Sequence, residues 1–130
     1  MIAIITGGRA YTPTPMDHAW LDAVHAADPM THVYAGGAPG ADTDGAQWAL
    51  RHAIPTTIVP ANWPAHGKSA GPRRNRVLLE MAGPTAVVLA FPGGPGTANM
   101  VAQARQRGMP VWESPSRATQ GGTTDHEVLL

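Results

Sequence analysis

The feature that most constrains the fold is an alternation of short, continuous apolar runs with longer segments of helical periodicity. Residues 2–6 ("IAIIT"), 32–35 ("HVYA"), 55–60 ("PTTIVP") and 86–91 ("AVVLAF") are typical of strands buried on both faces, and "PVW" (110–112) of a short last strand. Such strands, separated by helices, predict an α/β fold: a three-layer, Rossmann-like, doubly wound parallel sheet of about five strands with helices on both faces.

The segments between the strands carry helix-boundary signals. Asp44 opens a D-x-x-Q capping box, which predicts that the second helix begins there. The fourth helix is predicted to begin near Thr97 and to end at Gly108. Residues 61–72 are predicted to be a long irregular stretch whose Pro72 lies in the first turn of the third helix.

Length and composition predict one domain over residues 1–113 and a loose, polar, Gly/Ser/Thr-rich tail over residues 114–130. The chain has no cysteine, which excludes disulfides and thiolate chemistry and fits a cytoplasmic location. Nine basic and nine acidic residues cancel, so bulk charge gives no reason to expect nucleic-acid binding. No apolar run approaches a membrane span, so no membrane association is expected.

Three glycine-rich turns follow three of the predicted strands: "TGGRAY" (6–11), "AGGAPGAD" (35–42) and "PGGPGT" (92–97). The carboxyl ends of parallel strands share one edge of the sheet, so these turns are expected to meet there. A helix that begins after such a turn directs unpaired N–H groups at that edge, which suits a phosphate. One such turn is a weak signal, but three favour a nucleotide or phosphate site. The predicted ligand-binding residues of the turns are Gly7, Gly8, Gly36, Gly37, Gly40, Pro92, Gly93, Gly94, Gly96 and Thr97.

A basic cluster at 67–76 ("GKSAGPRRNR") holds four of the nine basic residues. Cations at a helix N-terminus oppose the helix dipole, and a bound anion would offset that cost. We therefore expect at least one of Arg73 and Arg74 to contact an anionic ligand, although a solvated helix start is the alternative. Arg9 is predicted to reach the same cleft, and Asn75 is a further candidate ligand-binding residue.

Two carboxylates, Asp42 and Asp44, lie near the start of the second helix, where they can cap the helix or accept hydrogen bonds from a ribose or base. Trp63 is either a stacking lid for a base or a packing anchor. His18 and His25 are seven residues apart and lack a third ligand at metal spacing, so neither a metal site nor a cofactor is expected.

Four segments in order, "GGRAY", "AGGAPGADTDGAQWA", "PANWPAHGKSAGPRRNR" and "AFPGGPGTANMVAQA", resemble the cpYpsA-related SLOG family, small proteins common in bacteria, phages and mobile elements. The resemblance runs through roughly residues 4–112. "PGGPGT" is also similar to the PGGxGTxxE signature of the wider SLOG superfamily. That superfamily includes the Lonely-Guy-type phosphoribohydrolases, once labelled lysine decarboxylases.

The resemblance implies a Rossmann-like domain that binds nucleotides or nucleotide-derived ligands. It also implies a homodimer whose neighbouring subunits complete the pocket. Trp20, Trp48 and Trp112 are candidates for such an interface, although the core is the expected place of each. The residues that the resemblance assigns to the phosphate are Gly93, Gly94, Gly96 and Thr97, and those that it assigns to the opposite wall are Gly36, Gly37 and Gly40.

The signature departs from the family pattern at its last position. In the phosphoribohydrolases, an arginine on the preceding helix and the closing glutamate serve hydrolysis of the N-glycosidic bond. The resemblance makes Arg74 the counterpart of that arginine, whereas the glutamate's position is Met100. A thioether cannot accept a proton near neutral pH, so Asp42 or Asp44 would have to supply the carboxylate.

Three functions follow, in order of preference. The first is binding of a nucleotide or ADP-ribose-like ligand by a sensor, carrier or sequestering protein. The second is a phosphoribohydrolase that cleaves a nucleoside 5′-monophosphate, with Arg74, Asp42 and Asp44 as catalytic candidates. The third is a DprA-like nucleic-acid-processing module, which only the basic cluster at 67–76 supports, and zero net charge argues against it.

Overall fold

The strands of the protein are short and apolar, and they pair side by side in one direction. The computed structural model describes residues 1–119 and contains one five-stranded, all-parallel sheet in the order β3-β2-β1-β4-β5. This architecture, with helices on both faces of the sheet, confirms the predicted three-layer Rossmann-like fold. The strands are β1 (Ile2–Thr6), β2 (His32–Ala35), β3 (Thr56–Ile58), β4 (Val87–Ala90) and β5 (Val111–Glu113).

Helices connect each strand to the next along the chain. A 3₁₀ turn (Gly67–Ser69) separates the third and fourth of them. The helices are α1 (Pro15–Ala27), α2 (Ala41–Arg51), α3 (Trp63–His66), α4 (Ala70–Ala82), α5 (Pro95–Gln106) and α6 (Pro115–Thr119).

The sheet separates two apolar clusters, as its continuous apolar strands require. Along β1, Ala3 and Ile5 pack in the cluster that contains α1 and α2, whereas Ile4 packs in the cluster that contains α4 and α5. Successive side chains of a strand point to opposite faces, so a strand between two helical layers must be apolar on both sides. The chain builds β1, β2 and β3 outward in one direction and then returns across the sheet to β4, so the strand order reverses between β1 and β4.

Two predicted local features are wrong. Helix α2 begins at Ala41, and its N-cap is Gly40 at φ +79°, without a side-chain cap. Asp44 Oδ1 instead lies 2.6 Å from His18 Nε2, with which it forms a hydrogen bond or an ion pair. The carboxylate of Asp44 is therefore held by α1 and does not cap the start of α2. The stretch 61–72 is not irregular, because Asn62 accepts a hydrogen bond from the N–H of Ala65 at 3.2 Å and thereby caps α3.

The predicted loose tail needs a correction at its start. Pro115–Thr119 form α6, whose first turn is held by a hydrogen bond from the Arg117 N–H to Ser114 Oγ at 3.2 Å. Arg117 also donates through Nε to Glu113 Oε2 at 3.0 Å. Backbone and side-chain partners of this kind order a polar segment that composition alone would leave loose. The rest of the predicted tail, 120–130, lies outside the described residues.

Two kinds of feature are absent from residues 1–119. No helix in this range is long and apolar enough to cross a lipid bilayer. Nor does this range contain a group of three or more His, Cys, Asp or Glu side chains that could hold a metal ion.

Candidate functional site

A cavity of about 410 Å³ lies at the carboxyl edge of the sheet, where the strand order reverses between β1 and β4. Open parallel sheets leave a crevice at this point because the connections of neighbouring strands diverge to opposite faces. The volume is within the range of small-molecule sites. The predicted ligand-binding residues that line the cavity are Gly7, Gly8, Arg9, Gly36, Gly37, Asp42, Arg74, Gly94, Gly96 and Thr97.

The N-terminus of α5 forms one end of this cavity. Gly94 is the N-cap and offers no side-chain hydrogen bond, and the first backbone bond into the helix is from the Ala98 N–H to Gly94 O at 3.0 Å. Within residues 1–119, the N–H groups of Gly96 and Thr97 donate to no main-chain carbonyl. A Cβ built on Gly94 or Gly96 would meet no atom within 4 Å, so the space beside these two glycines is open, and Gly96 and Thr97 both line the cavity. Free amides at the positive end of a helix dipole can donate hydrogen bonds to an anionic oxygen.

Gly40 and Gly93 have a different role, which is to let the turns pack against one another. A Cβ on Gly93 would lie 2.7 Å from the Gly8 nitrogen, and one on Gly40 would lie 2.5 Å from the Gly8 carbonyl oxygen. The Gly8 N–H donates to Pro92 O at 2.8 Å, and Gly8 O accepts from the Ala41 N–H at 3.1 Å. Gly93, Gly40 and Pro92 therefore fix the turns in place without lining the cavity.

Arg74 reaches into the cavity from α4. Its Nη1 donates to Gly36 O at 2.6 Å, and its Nε donates to Asn75 Oδ1 at 3.0 Å. Burial lowers the pKa of Arg74, and the charge of Asp42 counteracts this effect. A half-buried guanidinium with donor positions left over can bind an anion beside the amides of α5.

Asp42 lies at the base of the cavity and is only 4% exposed. Its Oδ2 accepts a long hydrogen bond from the Ala38 N–H at 3.4 Å, and its buried Oδ1 has no hydrogen-bond partner among the described residues. Burial raises the pKa of Asp42 to about 6, although the charges of Arg74 and Arg9 and nearby backbone N–H groups oppose the shift. A carboxyl group with this pKa can either accept or donate a proton near neutral pH.

Three further predicted site residues, besides Gly40, Pro92 and Gly93, lie outside the cavity lining. Asp44 is paired with His18, as described above. Arg73 is exposed, and its Nε donates to Ser69 Oγ at 3.0 Å, so it matches the solvated-surface alternative. Asn75 is buried behind Arg74, where its Nδ2 donates to Gly96 O at 3.2 Å. Asn75 therefore holds both Arg74 and the first turn of α5 in position.

Sequence reasoning missed the contribution of the turn after β3. Pro60 and Ala61 line the cavity, as does Gly71 of α4. Trp63 of α3, for which the sequence left a stacking lid and a packing anchor as alternatives, also lines it. The signal was available, because β3 ends on the same edge of the sheet as β1, β2 and β4, and the same argument applies to the residues that follow it. It was overlooked because this turn contains no glycine pair.

Met100 does not face the cavity. It is fully buried in the apolar cluster between the sheet, α4 and α5, together with Leu78, Val88 and Ala104. The side chain that stands at the glutamate position of the superfamily signature thus fills the core, and the cavity residues nearest in sequence are Gly96 and Thr97.

Comparisons with known proteins agree with the fold and the motifs. A family model described as "YAcAr: YspA, cpYpsA-related SLOG family" matches residues 1–66, which include the turns after β1 and β2 and helix α3 but neither Arg74 nor α5. "Gene 61 protein" of Mycobacterium phage D29 is 36% identical over 116 residues, which cover 83% of this chain and 91% of the phage protein. No solved structure gives a significant match.

Proposed function

The chain belongs to the YspA, cpYpsA-related SLOG family, and from this premise we propose that it binds a nucleotide or an ADP-ribose-like ligand as a sensor, carrier or sequestering protein. Family membership points to a nucleotide-related ligand. The observation that carries the proposal is the pair of free amides at Gly96 and Thr97, which open onto a cavity beside Arg74. Backbone donors, a helix dipole and a guanidinium together suit a phosphate group.

A phosphate site at the start of α5 requires open space for the anion and backbone amides that are not already hydrogen-bonded. A phosphate-binding turn plugged by side chains, or with its amides bonded to its own chain, would leave no place for the anion. Neither condition holds within residues 1–119, since the space beside Gly94 and Gly96 is open and the first amides of α5 are unpaired.

Isothermal titration with AMP, ADP, ADP-ribose and ribose 5-phosphate tests the proposal. We expect at least one to bind, and we expect Arg74→Ala to weaken it roughly 10- to 100-fold, since a hydrogen bond to a charged group contributes about 1.5–3 kcal/mol. Arg73→Ala is the matched control, because Arg73 is the neighbouring arginine and lies outside the cavity. The absence of binding by all four compounds, or equal losses in both variants, would contradict the proposal.

A second candidate function, hydrolysis of a nucleoside 5′-monophosphate, is favoured by one observation. Asp42 supplies to the cavity a buried carboxyl group with a pKa of about 6 and one unpartnered oxygen. In this reaction the C1′–N bond breaks and the departing base takes a proton that the protonated Asp42 can provide. Water adds its oxygen to C1′ and gives up a proton, which restores the protonated Asp42, so the products are free base and ribose 5-phosphate. Arg74 would hold the 5′-phosphate.

Chromatographic detection of free base separates the two functions. If the chain is a hydrolase, Asp42→Asn removes the transferable proton and should abolish base release, while AMP binding remains. Asp44→Asn is the matched control, because that carboxylate is held by His18 outside the cavity. Base release that survives Asp42→Asn would exclude Asp42 as the acid, and no release by the wild type would leave binding as the function.

A further inference from the structure

The two ends of the cavity differ in chemistry. The end at α5 offers the amides of Gly96 and Thr97. The guanidinium of Arg74 crosses the cavity from α4, and its Nη1 donates to Gly36 O at 2.6 Å and to Val59 O at 3.5 Å. The end at β3 offers the apolar surfaces of Pro60 and Trp63. An occupant that satisfies both ends has one anionic group and one apolar group.

The spacing of the strands sets the distance between these ends. The strand order β3-β2-β1-β4 puts three strand spacings between the turn after β4 and the turn after β3, which is about 14 Å. This length accommodates a phosphate, a ribose and a base laid end to end. A sugar phosphate alone would leave the β3 end empty.

Trp63 presents a flat aromatic surface at that end. It is the first residue of α3, and its backbone is fixed because Asn62 caps the helix and the Gly67 N–H donates to Trp63 O. One edge of the indole rests on α4 at Gly71, where a built Cβ would lie 3.4 Å from Cη2. Trp63 nonetheless remains 47% exposed. A large aromatic side chain held by its edge, with its remaining surface open to a cavity, is suited to stacking against another ring.

We infer that Trp63 is the stacking platform for the base of a nucleotide, so that the chain distinguishes nucleotides from sugar phosphates. This inference rests on the proposed function, since the phosphate at α5 sets the position of the base. Trp63 recognises the ring system, and Arg74 with the α5 amides recognises the phosphate.

Titration of wild type and variants with AMP, GMP, ADP-ribose and ribose 5-phosphate tests this division. We expect the wild type to bind at least one purine nucleotide roughly 5- to 100-fold more tightly than ribose 5-phosphate, the range that stacking of one base supplies. Trp63→Ala should remove this advantage and leave the affinity for ribose 5-phosphate unchanged. Trp63→Phe should retain most of it, and quenching of tryptophan fluorescence by AMP should disappear in both variants.

Trp112→Ala is the matched control, since Trp112 is similarly exposed, at 42%, on β5 and does not line the cavity. Each alternative result has a distinct meaning. If the wild type binds the purine nucleotides and ribose 5-phosphate equally, the stacking inference fails and the phosphate site stands. If Trp63→Ala weakens all ligands equally, Trp63 supports the fold only and the inference fails. If the wild type binds none of the four, the proposed function fails and the inference fails with it.

Discussion

At the scale of single residues, the glycines of the three turns divide into two groups that the sequence does not distinguish. Gly94 and Gly96 leave open space for an anion, whereas Gly93 and Gly40 allow neighbouring turns to touch. The sequence predicted all of them as ligand-binding residues because every one follows a strand. Which turn approaches which depends on the order and register of the strands, and these are properties of the tertiary structure.

Gly36 gives the sharpest test at this scale. A Cβ built there would lie 2.2 Å from Arg74 Nη1 and 2.8 Å from Asp42 Oδ2, so Gly36→Ala must displace the guanidinium. The arginine has a long, flexible side chain, and we expect the free energy of unfolding to change by no more than ~1 kcal/mol. Ligand affinity should fall at least tenfold by titration.

A double-mutant cycle gives the control for this variant. Because Gly36→Ala acts through Arg74, it should add little to the loss caused by Arg74→Ala alone. Fully additive losses would mean that the methyl group blocks the ligand directly, and an unchanged affinity would mean that Arg74 does not contact the ligand.

At the scale of elements, α5 shows how one helix serves both the cavity and the core. Thr97 lines the cavity, whereas Met100, three residues later, is fully buried against the sheet and α4. The resemblance to the superfamily signature correctly located the turn before this helix but suggested a catalytic position at residue 100. The apolar cluster around Met100 decides its role, and burial of this kind is not visible in a motif.

Restoring the signature glutamate should therefore damage the protein. Met100→Glu would bury a carboxylate among Leu78, Val88 and Ala104 without a partner, and we expect a loss of at least ~3 kcal/mol in the free energy of unfolding. Met100→Leu, which conserves volume and polarity, should cost less than ~1.5 kcal/mol. Urea unfolding measures both. A stable Met100→Glu variant that releases free base from AMP would show that residue 100 faces the cavity.

Other elements followed from the sequence to different degrees. The first two strands were predicted with their observed bounds, because continuous apolar runs bounded by polar residues are a strong local signal. Helix α3 was not predicted, since it is a four-residue element held by the side chain of Asn62. Helix α6 was missed for a similar reason, as its order comes from Ser114 and the Arg117–Glu113 pair.

At the scale of the whole molecule, the buried carboxyl of Asp42 links stability to pH. Its pKa rises from 3.8 to about 6 on folding, so the native state binds more protons than the unfolded state between these values. The contribution of this group is most favourable below pH ~4 and declines as the pH rises towards about 6, by roughly 3 kcal/mol at most.

Asp17 acts in the opposite direction, because hydrogen bonds from Tyr11 and Thr14 outweigh its burial and lower its pKa. A comparison of Asp42→Asn with the wild type cancels the Asp17 contribution. We expect Asp42→Asn to gain stability relative to the wild type between pH 4 and pH 8, as measured by urea unfolding at both values. A difference between the two proteins that is the same at both pH values would contradict the raised pKa.

The central claim is that the amides at the start of α5 bind the phosphate of a nucleotide. At 13.6 kDa the chain suits backbone-amide NMR, and a titration with AMP examines those groups directly. We predict that the largest downfield shifts belong to Gly96 and Thr97 and that Arg74→Ala reduces them. Shifts confined to the exposed surface around Arg73, with Gly96 and Thr97 unmoved at saturation, would contradict the account.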